Sequence, residues 1–299
     1  MKKEITVENS IEKLNIKEFL EKHGSFSSRK VKKLLKEKKV QINHKTAYYD
    51  NHVNSGDQVV VDLSESGKDS TLPENIALDI IYEDEYFLAV NKPAGMLVHP
   101  TQNYPNNTLA NGVKFYFISK NLEIPVRFAN RIDRDTSGLV IIAKSGEAHS
   151  ALAKQFELDS CEKFYLGVAE GCFEAANGTI DRPIGKDEEN PIRRAIREDG
   201  QKSITEYEVK EQYKNAVFIK LKLITGRTHQ IRVHLSSLGH PLLGDQLYGG
   251  SMQIIQRQAL HAYEMLFKHP YNNREIKLQA KLPIDMEVLL ERLRSKDIE

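Results

Sequence analysis

The sequence predicts an α+β protein: a small α/β unit followed by a larger domain whose mixed, largely antiparallel central sheet is flanked by helices. Two observations carry this prediction. A short segment with two amphipathic helices and two short strands precedes a polar stretch of linker composition. After that stretch, strands outnumber helices and many are sequential neighbours, a pattern typical of antiparallel sheets.

Length and composition agree with two globular domains. The chain has 299 residues, of which 40% are hydrophobic and 28% charged, and one domain per ~150 residues is the usual expectation. No run approaches the ~18 apolar residues of a membrane span, and the first residues lack the apolar core of a signal peptide. Two cysteines are too few for a disulfide framework or a four-cysteine zinc site. We therefore expect a cytoplasmic protein without a membrane partner.

The first unit is predicted over residues 12–63. Apolar residues at helical spacing predict two helices, with Ile16, Phe19 and Leu20 in one and Val31, Leu34 and Leu35 in the other. Ser27 or Ser28 can cap the second helix. Short strands are expected at Val40–Asn43 and Val59–Val61. Residues 64–76 have the composition of a linker.

This unit concentrates positive charge. From Lys13 to Lys45 there are eleven lysines and arginines against three glutamates, a local charge of +8 on a chain whose net charge is +1. The second helix supplies Arg29, Lys30, Lys32, Lys33 and Lys36. A compact positive segment predicts binding to a polyanion, although a solvated helix face has the same composition.

Residues 77–299 are expected to form the second domain. Its predicted strands are 78–81, 87–90, 139–143, 164–169, 204–209, 217–223 and 275–280. Its predicted helices are 146–158, 227–238 and 283–293, with Pro283 at the first position of the last helix.

The densest group of charges lies just before a buried strand, in Asn130-Arg131-Ile132-Asp133-Arg134-Asp135-Thr136-Ser137-Gly138. Two arginines flank Asp133, and a nearby cation favours a charged carboxylate, which suits a nucleophile or a base. Clusters of Arg and Asp also tie loops down. The residues alone therefore leave catalysis and loop anchoring both open.

Three further motifs carry polar residues that could do chemistry. Lys163 and Tyr165 share one face of a predicted strand, where they could contact a phosphate and a base. Thr225 to His234 contains Arg227, placed at the start of the predicted helix, and Arg232 beyond its first turn. His229 and His234 are five residues apart, about 500° around a helix, which argues against a shared metal ion. Lys92 opens a loop stiffened by Pro93, Gly95 and Pro100.

Motifs for a nucleotide cofactor are missing from the sequence: there is no phosphate-binding loop and no dinucleotide fingerprint. Ser137 and Ser203 lack the Gly-x-Ser-x-Gly context of many hydrolases. We expect neither a cofactor nor a metal ion.

Together and in this order, these motifs resemble the RluA/RluD family of RNA pseudouridine synthases. The resemblance covers residues 78–290 and rests on Asn-Lys-Pro-Ala-Gly-Met, Arg-Ile-Asp-Arg-Asp-Thr-Ser-Gly, Lys-Phe-Tyr, Gly-Arg-Thr-His-Gln-Ile-Arg-Val-His, Gly-His-Pro-Leu-Leu-Gly-Asp, Leu-His-Ala and Lys-Leu-Pro. The N-terminal unit resembles the RNA-binding domain of ribosomal protein S-four, through Ser-Ser-Arg-Lys-Val-Lys-Lys-Leu-Leu, Val-Gln-Ile-Asn and Ser-Gly-Asp-Gln-Val. The family usually has His-Arg-Leu-Asp where this chain has Asn130-Arg131-Ile132-Asp133, which puts substrate choice in question.

The resemblance implies roles for individual residues. Asp133 is the essential carboxylate, which either attacks the anomeric carbon of a uridine or removes a neighbouring ribose proton. Tyr165 stacks on the target base and helps to take the proton released from the ring. Arg232 pairs with Asp133 and keeps it ionised, and Arg227 is either the second choice for that role or a phosphate contact. The remaining expected RNA contacts are Lys92, Arg131, Arg134, Lys163 and His229, besides the basic residues of the second helix.

The expected partner is RNA, bound by a monomeric protein. The N-terminal unit favours large-subunit ribosomal RNA, with transfer RNA as the alternative. Two other readings stay open at this point: an RNA-binding factor without activity, and a hydrolytic glycosidase using Asp133 and Asp135 as its carboxylate pair.

Overall fold

The computed structural model describes residues 2–8, 14–24, 26–62, 71–157 and 160–295. The chain divides into two compact units, residues 1–68 and 69–299. The predicted linker falls largely on residues 63–70, which lie outside the described ranges. Among the described helices, none is long and apolar enough to cross a membrane.

The N-terminal unit packs two helices on a four-stranded antiparallel sheet of order β1-β4-β2-β3. Its elements are β1 (Lys2–Thr6), α1 (Ile16–Lys22), α2 (Ser28–Lys36), β2 (Val40–Ile42), β3 (Lys45–Thr46) and β4 (Gln58–Asp62). Ser27 caps α2 by accepting a hydrogen bond from the Lys30 amide at 3.4 Å. The predicted apolar faces of both helices are buried. The strand β1 was not predicted and lies ahead of residue 12.

The second unit is built on one large sheet, in the order β10-β13-β14-β9-β15-β8-β6-β5, with β16 beside β15 and β7 beside β8. Its first strands and helices are β5 (Ile80–Glu83), β6 (Phe87–Lys92), α3 (Leu109–Ser119), β7 (Arg127–Phe128), β8 (Ser137–Ala143), α4 (Gly146–Glu157) and β9 (Glu162–Glu170). Then come β10 (Asn177–Asp181), the hairpin β11 (Ile184–Lys186) and β12 (Arg194–Ile196), β13 (Ile204–Gln212) and β14 (Ala216–Leu223). The chain continues through α5 (Gln230–Ser237), a 3-10 turn (Gln246–Tyr248), β15 (Leu260–Lys268), β16 (Glu275–Gln279) and α6 (Ile284–Arg294).

The predicted α+β class with a mixed, largely antiparallel sheet is confirmed. Among the pairings of the described strands, β8 with β15 is the parallel one. At this junction Gly138 has φ +117°, and a Cβ there would lie 2.2 Å from the Ala262 carbonyl oxygen. Glycine is therefore required where the two strands meet. The junction matters because Asp133 lies on the loop that enters β8.

Three details of the helices differ from the prediction. The helix α3 was not predicted; a capping box between Thr108 and Asn111 begins it. Pro283 is the N-cap of α6 and precedes its first residue.

The third difference is that α5 begins at Gln230, three residues after Arg227. The Gln230 side chain accepts hydrogen bonds from the Arg227 amide and the Thr225 hydroxyl, both at 2.9 Å. These bonds hold Thr225 to His229 as a turn outside the helix. The helix therefore begins three residues later than predicted.

Candidate active site

A cavity of about 1000 Å³ opens in the second unit beside the loop that precedes β8. Eight of the predicted site residues line it: Arg131, Asp133, Arg134, Lys163, Tyr165, Arg227, His229 and Arg232. Three separate motifs of the sequence thus meet at one place. Within the described ranges, no group of three His, Cys, Asp or Glu side chains is arranged to hold a metal ion.

Asp133 is held by a buried arginine. Arg232 Nη1 donates to Asp133 Oδ2 at 3.1 Å, and the Asp133 side chain is 26% exposed. The other edge of the same guanidinium forms a fork with Asp245, with Nε at 2.7 Å and Nη2 at 2.8 Å from its two oxygens. Arg232 therefore bridges a fully buried carboxylate and a partly exposed one.

The charges around Arg232 outweigh the cost of its burial. Burial would lower the pKa of Arg232, but the hydrogen bonds and charge of Asp245, and then those of Asp133, raise it above the ordinary arginine value. A buried charge is tolerated when it is paired in this way. The cation beside Asp133 is Arg232, whereas the two flanking arginines, Arg131 and Arg134, are exposed.

Tyr165 and Lys163 lie on the same face of β9, as predicted, and both are buried. Burial and then the negative charge of Asp133 raise the pKa of the Tyr165 phenol above its ordinary value. Tyr165 consequently offers the cavity a neutral hydroxyl and a ring face, and phenolate chemistry is disfavoured.

His229 approaches Asp133 from another side. Its Nε2 lies 3.8 Å from Asp133 Oδ2, and its Nδ1 lies 2.9 Å from the Tyr248 hydroxyl. Burial lowers the pKa of His229 below its ordinary value, against the opposing charge of Asp133. The imidazole is thus neutral near pH 7 and close to the carboxylate.

Arg227 is exposed and contacts neither Asp133 nor Asp245. Its Nε donates to the Lys202 carbonyl at 3.3 Å, on the rim of the cavity. The expectation that Arg227 could replace Arg232 as the partner of Asp133 therefore lacks support in the geometry.

Lys92 corrects the sequence interpretation, because it cannot reach RNA. Its side chain is 0% exposed, and its ammonium donates to the carbonyls of Pro93, Met96 and Arg134 at 2.7, 2.8 and 2.9 Å. Burial lowers the pKa of Lys92 to about 7, partly opposed by the charge of Asp135. Lys92 fixes the loop that carries Asp133.

A second cation holds the same loop. Arg257 Nη1 donates to the Asp135 carbonyl at 3.1 Å, while its Nε and Nη2 form a fork with Asp285 at 2.6 and 2.9 Å. Asn130 ties the start of the loop to β8: its Oδ1 accepts from the Ile141 amide at 2.8 Å. Asp133 therefore sits on a loop anchored at both ends.

The predicted RNA-binding residues of α2 belong to the N-terminal unit. Lys30, Lys32, Lys33 and Lys36 are exposed on the helix. Arg29 lies in the same helix, but its side chain is outside the described part of the chain.

Sequence reasoning missed Asp245, Tyr248 and Arg257. Asp245 stands in the run Gly239 to Asp245 that carried the family resemblance, yet it received no role. A buried arginine such as Arg232 needs well-placed carboxylate partners. That need was a signal that could have identified Asp245 as a partner besides Asp133. Nothing in the spacing marks Tyr248 or Arg257.

Comparisons with known proteins agree with this geometry. Residues 86–237 match the family described as RNA pseudouridylate synthase. An RNA pseudouridine synthase of Bacillus subtilis, YhcT, is 40% identical over 252 residues, which covers 84% of this chain and 83% of the relative. Ribosomal large subunit pseudouridine synthase D of Zymomonas mobilis is 40% identical over 236 residues, 74% of each chain.

A solved structure gives the same result. The structure of human RNA pseudouridylate synthase domain containing 1 superposes with a TM-score of 0.59 at 26% identity, over 74% of this chain and 96% of the human one. The shared residues, the shared fold and the assembled Asp133 site lead to one conclusion: the chain belongs to the RluA family of RNA pseudouridine synthases.

Proposed function

We propose that the enzyme converts specific uridines of large-subunit ribosomal RNA to pseudouridine, with Asp133 as the reacting carboxylate. The observation that carries this proposal is the Asp133 carboxylate, which faces a large cavity and is held there by the buried fork of Arg232 and Asp245. The reaction breaks the bond between the anomeric carbon and the ring nitrogen, turns the uracil, and joins its carbon five to the sugar. Carbon five loses its proton and the released ring nitrogen gains one, so the product is an isomer of uridine.

Two routes are open to Asp133. In one, a carboxylate oxygen attacks the anomeric carbon and the uracil leaves with the electrons of the glycosidic bond. In the other, the oxygen removes a neighbouring ribose proton and the sugar forms a double bond as the uracil leaves. Both routes need a carboxylate oxygen held in a fixed position, and the hydrogen bond from Arg232 holds the Asp133 carboxylate in place.

Tyr165 is proposed to stack on the target base. Its ring lines the cavity on the strand β9, and its neutral phenol suits contact with an uncharged uracil. Lys163 on the same face, and the exposed Arg131 and Arg134 on the loop, would contact the phosphates around the base. The target uridine must leave its stack to enter, which costs a few kcal/mol.

The N-terminal unit is proposed to be a ribosomal-protein-S-four-like RNA-binding domain. Its support is the row of exposed lysines on α2 and the two-helix, four-stranded fold on which they lie. We also propose that the enzyme works as a monomer in the cytoplasm.

The choice of ribosomal RNA rests on the relatives named ribosomal large subunit pseudouridine synthase D, which are 32% to 40% identical to this chain. Pseudouridine mapping in RNA from cells with and without the gene tests it. We expect at least one large-subunit uridine to stay unmodified in the deleted strain and to be restored by the wild-type gene. Loss confined to transfer RNA would overturn the ribosomal target, and release of free uracil by the purified protein would overturn the isomerase activity.

A further inference from the structure

The two oxygens of the Asp133 carboxylate have different surroundings. Oδ2 faces both Arg232 Nη1, at 3.1 Å, and His229 Nε2, at 3.8 Å. Among the hydrogen bonds of the described residues, none ends on Oδ1. Both neighbours therefore meet the same oxygen, and Oδ1 receives neither contact.

The His229 ring is fixed in its orientation by two features. Its backbone is left-handed, with φ 57° and ψ 17°, an unfavourable conformation for a residue other than glycine. Such outliers persist where surrounding contacts enforce them. Here the contact is Tyr248, whose hydroxyl lies 2.9 Å from Nδ1 and whose ring meets the imidazole edge-on at 86°.

The hydrogen bonds of Tyr248 indicate which nitrogen carries the proton. The Tyr248 oxygen accepts a hydrogen bond from the Arg194 amide at 2.9 Å. Its own proton can then be donated to Nδ1 of the neutral imidazole, which leaves the ring proton on Nε2. The opposite tautomer would point a lone pair of Nε2 at the Asp133 carboxylate. The geometry therefore favours an Nε2–H directed at Oδ2.

One short segment fixes both neighbours of Asp133. Asp245 and Tyr248 are three residues apart across the 3-10 turn, and side chains at this spacing in a 3-10 helix point the same way. Asp245 forms the fork with Arg232. Tyr248 contacts His229, and its ring also stacks on the Arg232 guanidinium at 4.9 Å. The segment therefore couples the arginine and the histidine.

We propose that His229 is a positioning residue: with substrate bound, its Nε2–H donates to Oδ2 of Asp133, and together with Arg232 it presents Oδ1 as the oxygen that reacts with the ribose. The proposal rests on the function proposed above. Contacts of this kind often shorten when substrate fills the site. In either route a lone pair of Oδ1 forms the new bond, to the anomeric carbon or to the ribose proton, and the negative charge leaves on the uracil.

This role differs from the RNA contact that the sequence suggested for His229. A contact to RNA would contribute to binding, whereas a positioning residue contributes to the rate of the bound complex. Both the neutral imidazole in this tautomer and the protonated form carry a proton on Nε2, so the role does not require His229 to titrate.

A matched pair of amides tests the proposal in the full-length enzyme. His229→Gln can place an N–H near the position of Nε2, whereas the shorter His229→Asn places it near Nδ1. We expect His229→Asn and His229→Ala to lower the single-turnover rate at saturating RNA on the order of 30-fold, and His229→Gln to stay within about fivefold of wild type. RNA affinity should change by less than about threefold in all three variants.

Tyr248→Phe supplies an independent measurement. It should lower the single-turnover rate by about fivefold in the wild-type background and have no further effect in His229→Gln, because the amide has no tautomer to select. Melting temperatures identify variants that fail to fold, and the Gln and Asn variants decide the question even where His229→Ala is unstable.

Two results would overturn the positioning role while leaving the isomerase function intact: equal rates for the Gln and Asn variants, or losses that appear in RNA affinity with the bound-complex rate unchanged. A wild-type enzyme inactive on the RNA identified by mapping would instead overturn the proposed function itself.

Discussion

The cations that fix Asp133 and its loop are of the same types as the charged residues of α2, but they differ from them in burial and in their partners. Lys92 and Arg232 are buried, and each makes hydrogen bonds to several fixed partners. The lysines of α2 are exposed, and Lys33 forms an i, i+4 pair with Glu37 at 3.8 Å. Buried charges with fixed partners hold neighbouring groups in defined positions, whereas exposed charges attract a polyanion in proportion to their number. Substitutions in the two regions should therefore alter different quantities.

The largest effect is expected at Asp133. Asp133→Asn keeps the shape of the side chain but removes the charge and the reacting oxygen, so activity should fall by at least about 10⁴-fold. Asp135→Asn is the matched control: its carboxylate pairs with the exposed Arg134 and should be dispensable. Single-turnover assays and RNA-binding measurements on both variants check this. Retained activity in Asp133→Asn with loss in Asp135→Asn would exchange their roles.

The next largest effect is expected at Asp245. Asp245→Asn removes the negative charge of the carboxylate that forms the fork with the buried Arg232, which should lower the free energy of unfolding by about 3 kcal/mol. The rate should fall as well, because Arg232 would no longer be fixed against Asp133. Asp199→Asn, in an exposed pair with Arg197, should cost far less because water screens it. Urea unfolding measures both, and similar losses would remove the distinction between buried and exposed pairs.

Lys92 predicts a dependence of stability on pH. Its pKa of about 7 in the folded protein lies below the ordinary value of 10.5, so between these pH values the unfolded chain binds more protons. The contribution of Lys92 to the free energy of unfolding therefore rises with pH in this window, by up to about 1.4 kcal/mol per pH unit.

Lys92→Met should abolish that rise, which unfolding curves at pH 7 and pH 9 would measure. Lys36→Met removes an exposed lysine of α2 and should change stability little at either pH. Wild-type and Lys92→Met stabilities that change in parallel with pH would contradict the assignment.

The smallest effect per residue is expected on α2. We expect replacement by alanine of all four exposed lysines, Lys30, Lys32, Lys33 and Lys36, to weaken RNA affinity about tenfold at moderate salt. The slope of log affinity against log salt concentration should become shallower by about 3. The single-turnover rate at saturating RNA should be unchanged. A changed rate with intact affinity would show that these lysines act on the chemistry.

The sequence predicted what depends on local pattern and on the ordered motifs of the family. The sheet class, the helices of the basic unit and the meeting of Asp133, Tyr165 and Arg232 are of this kind. The prediction from sequence failed where the role of a residue depends on a partner far away in the chain. Lys92 follows a strand and precedes a proline, which is typical of an exposed loop lysine, but its carbonyl partner at Arg134 lies 42 residues away. The start of α5 depended on the Gln230 side chain, which accepts hydrogen bonds from Thr225 and Arg227 and keeps these residues outside the helix.

The anchoring of the Asp133 loop by Arg257 has a consequence for synthesis on the ribosome. The loop that carries Asp133 receives one of its anchors from Arg257, which is held in turn by Asp285, about 150 residues after Asp133 in the chain. At about 5–20 residues per second, the loop waits roughly eight to thirty seconds for this partner. A nascent chain that ends before Asp285 would hold Asp133 and Arg232 without this anchor. We therefore expect the enzyme to become competent only late in translation, and shortened products should not modify cellular RNA.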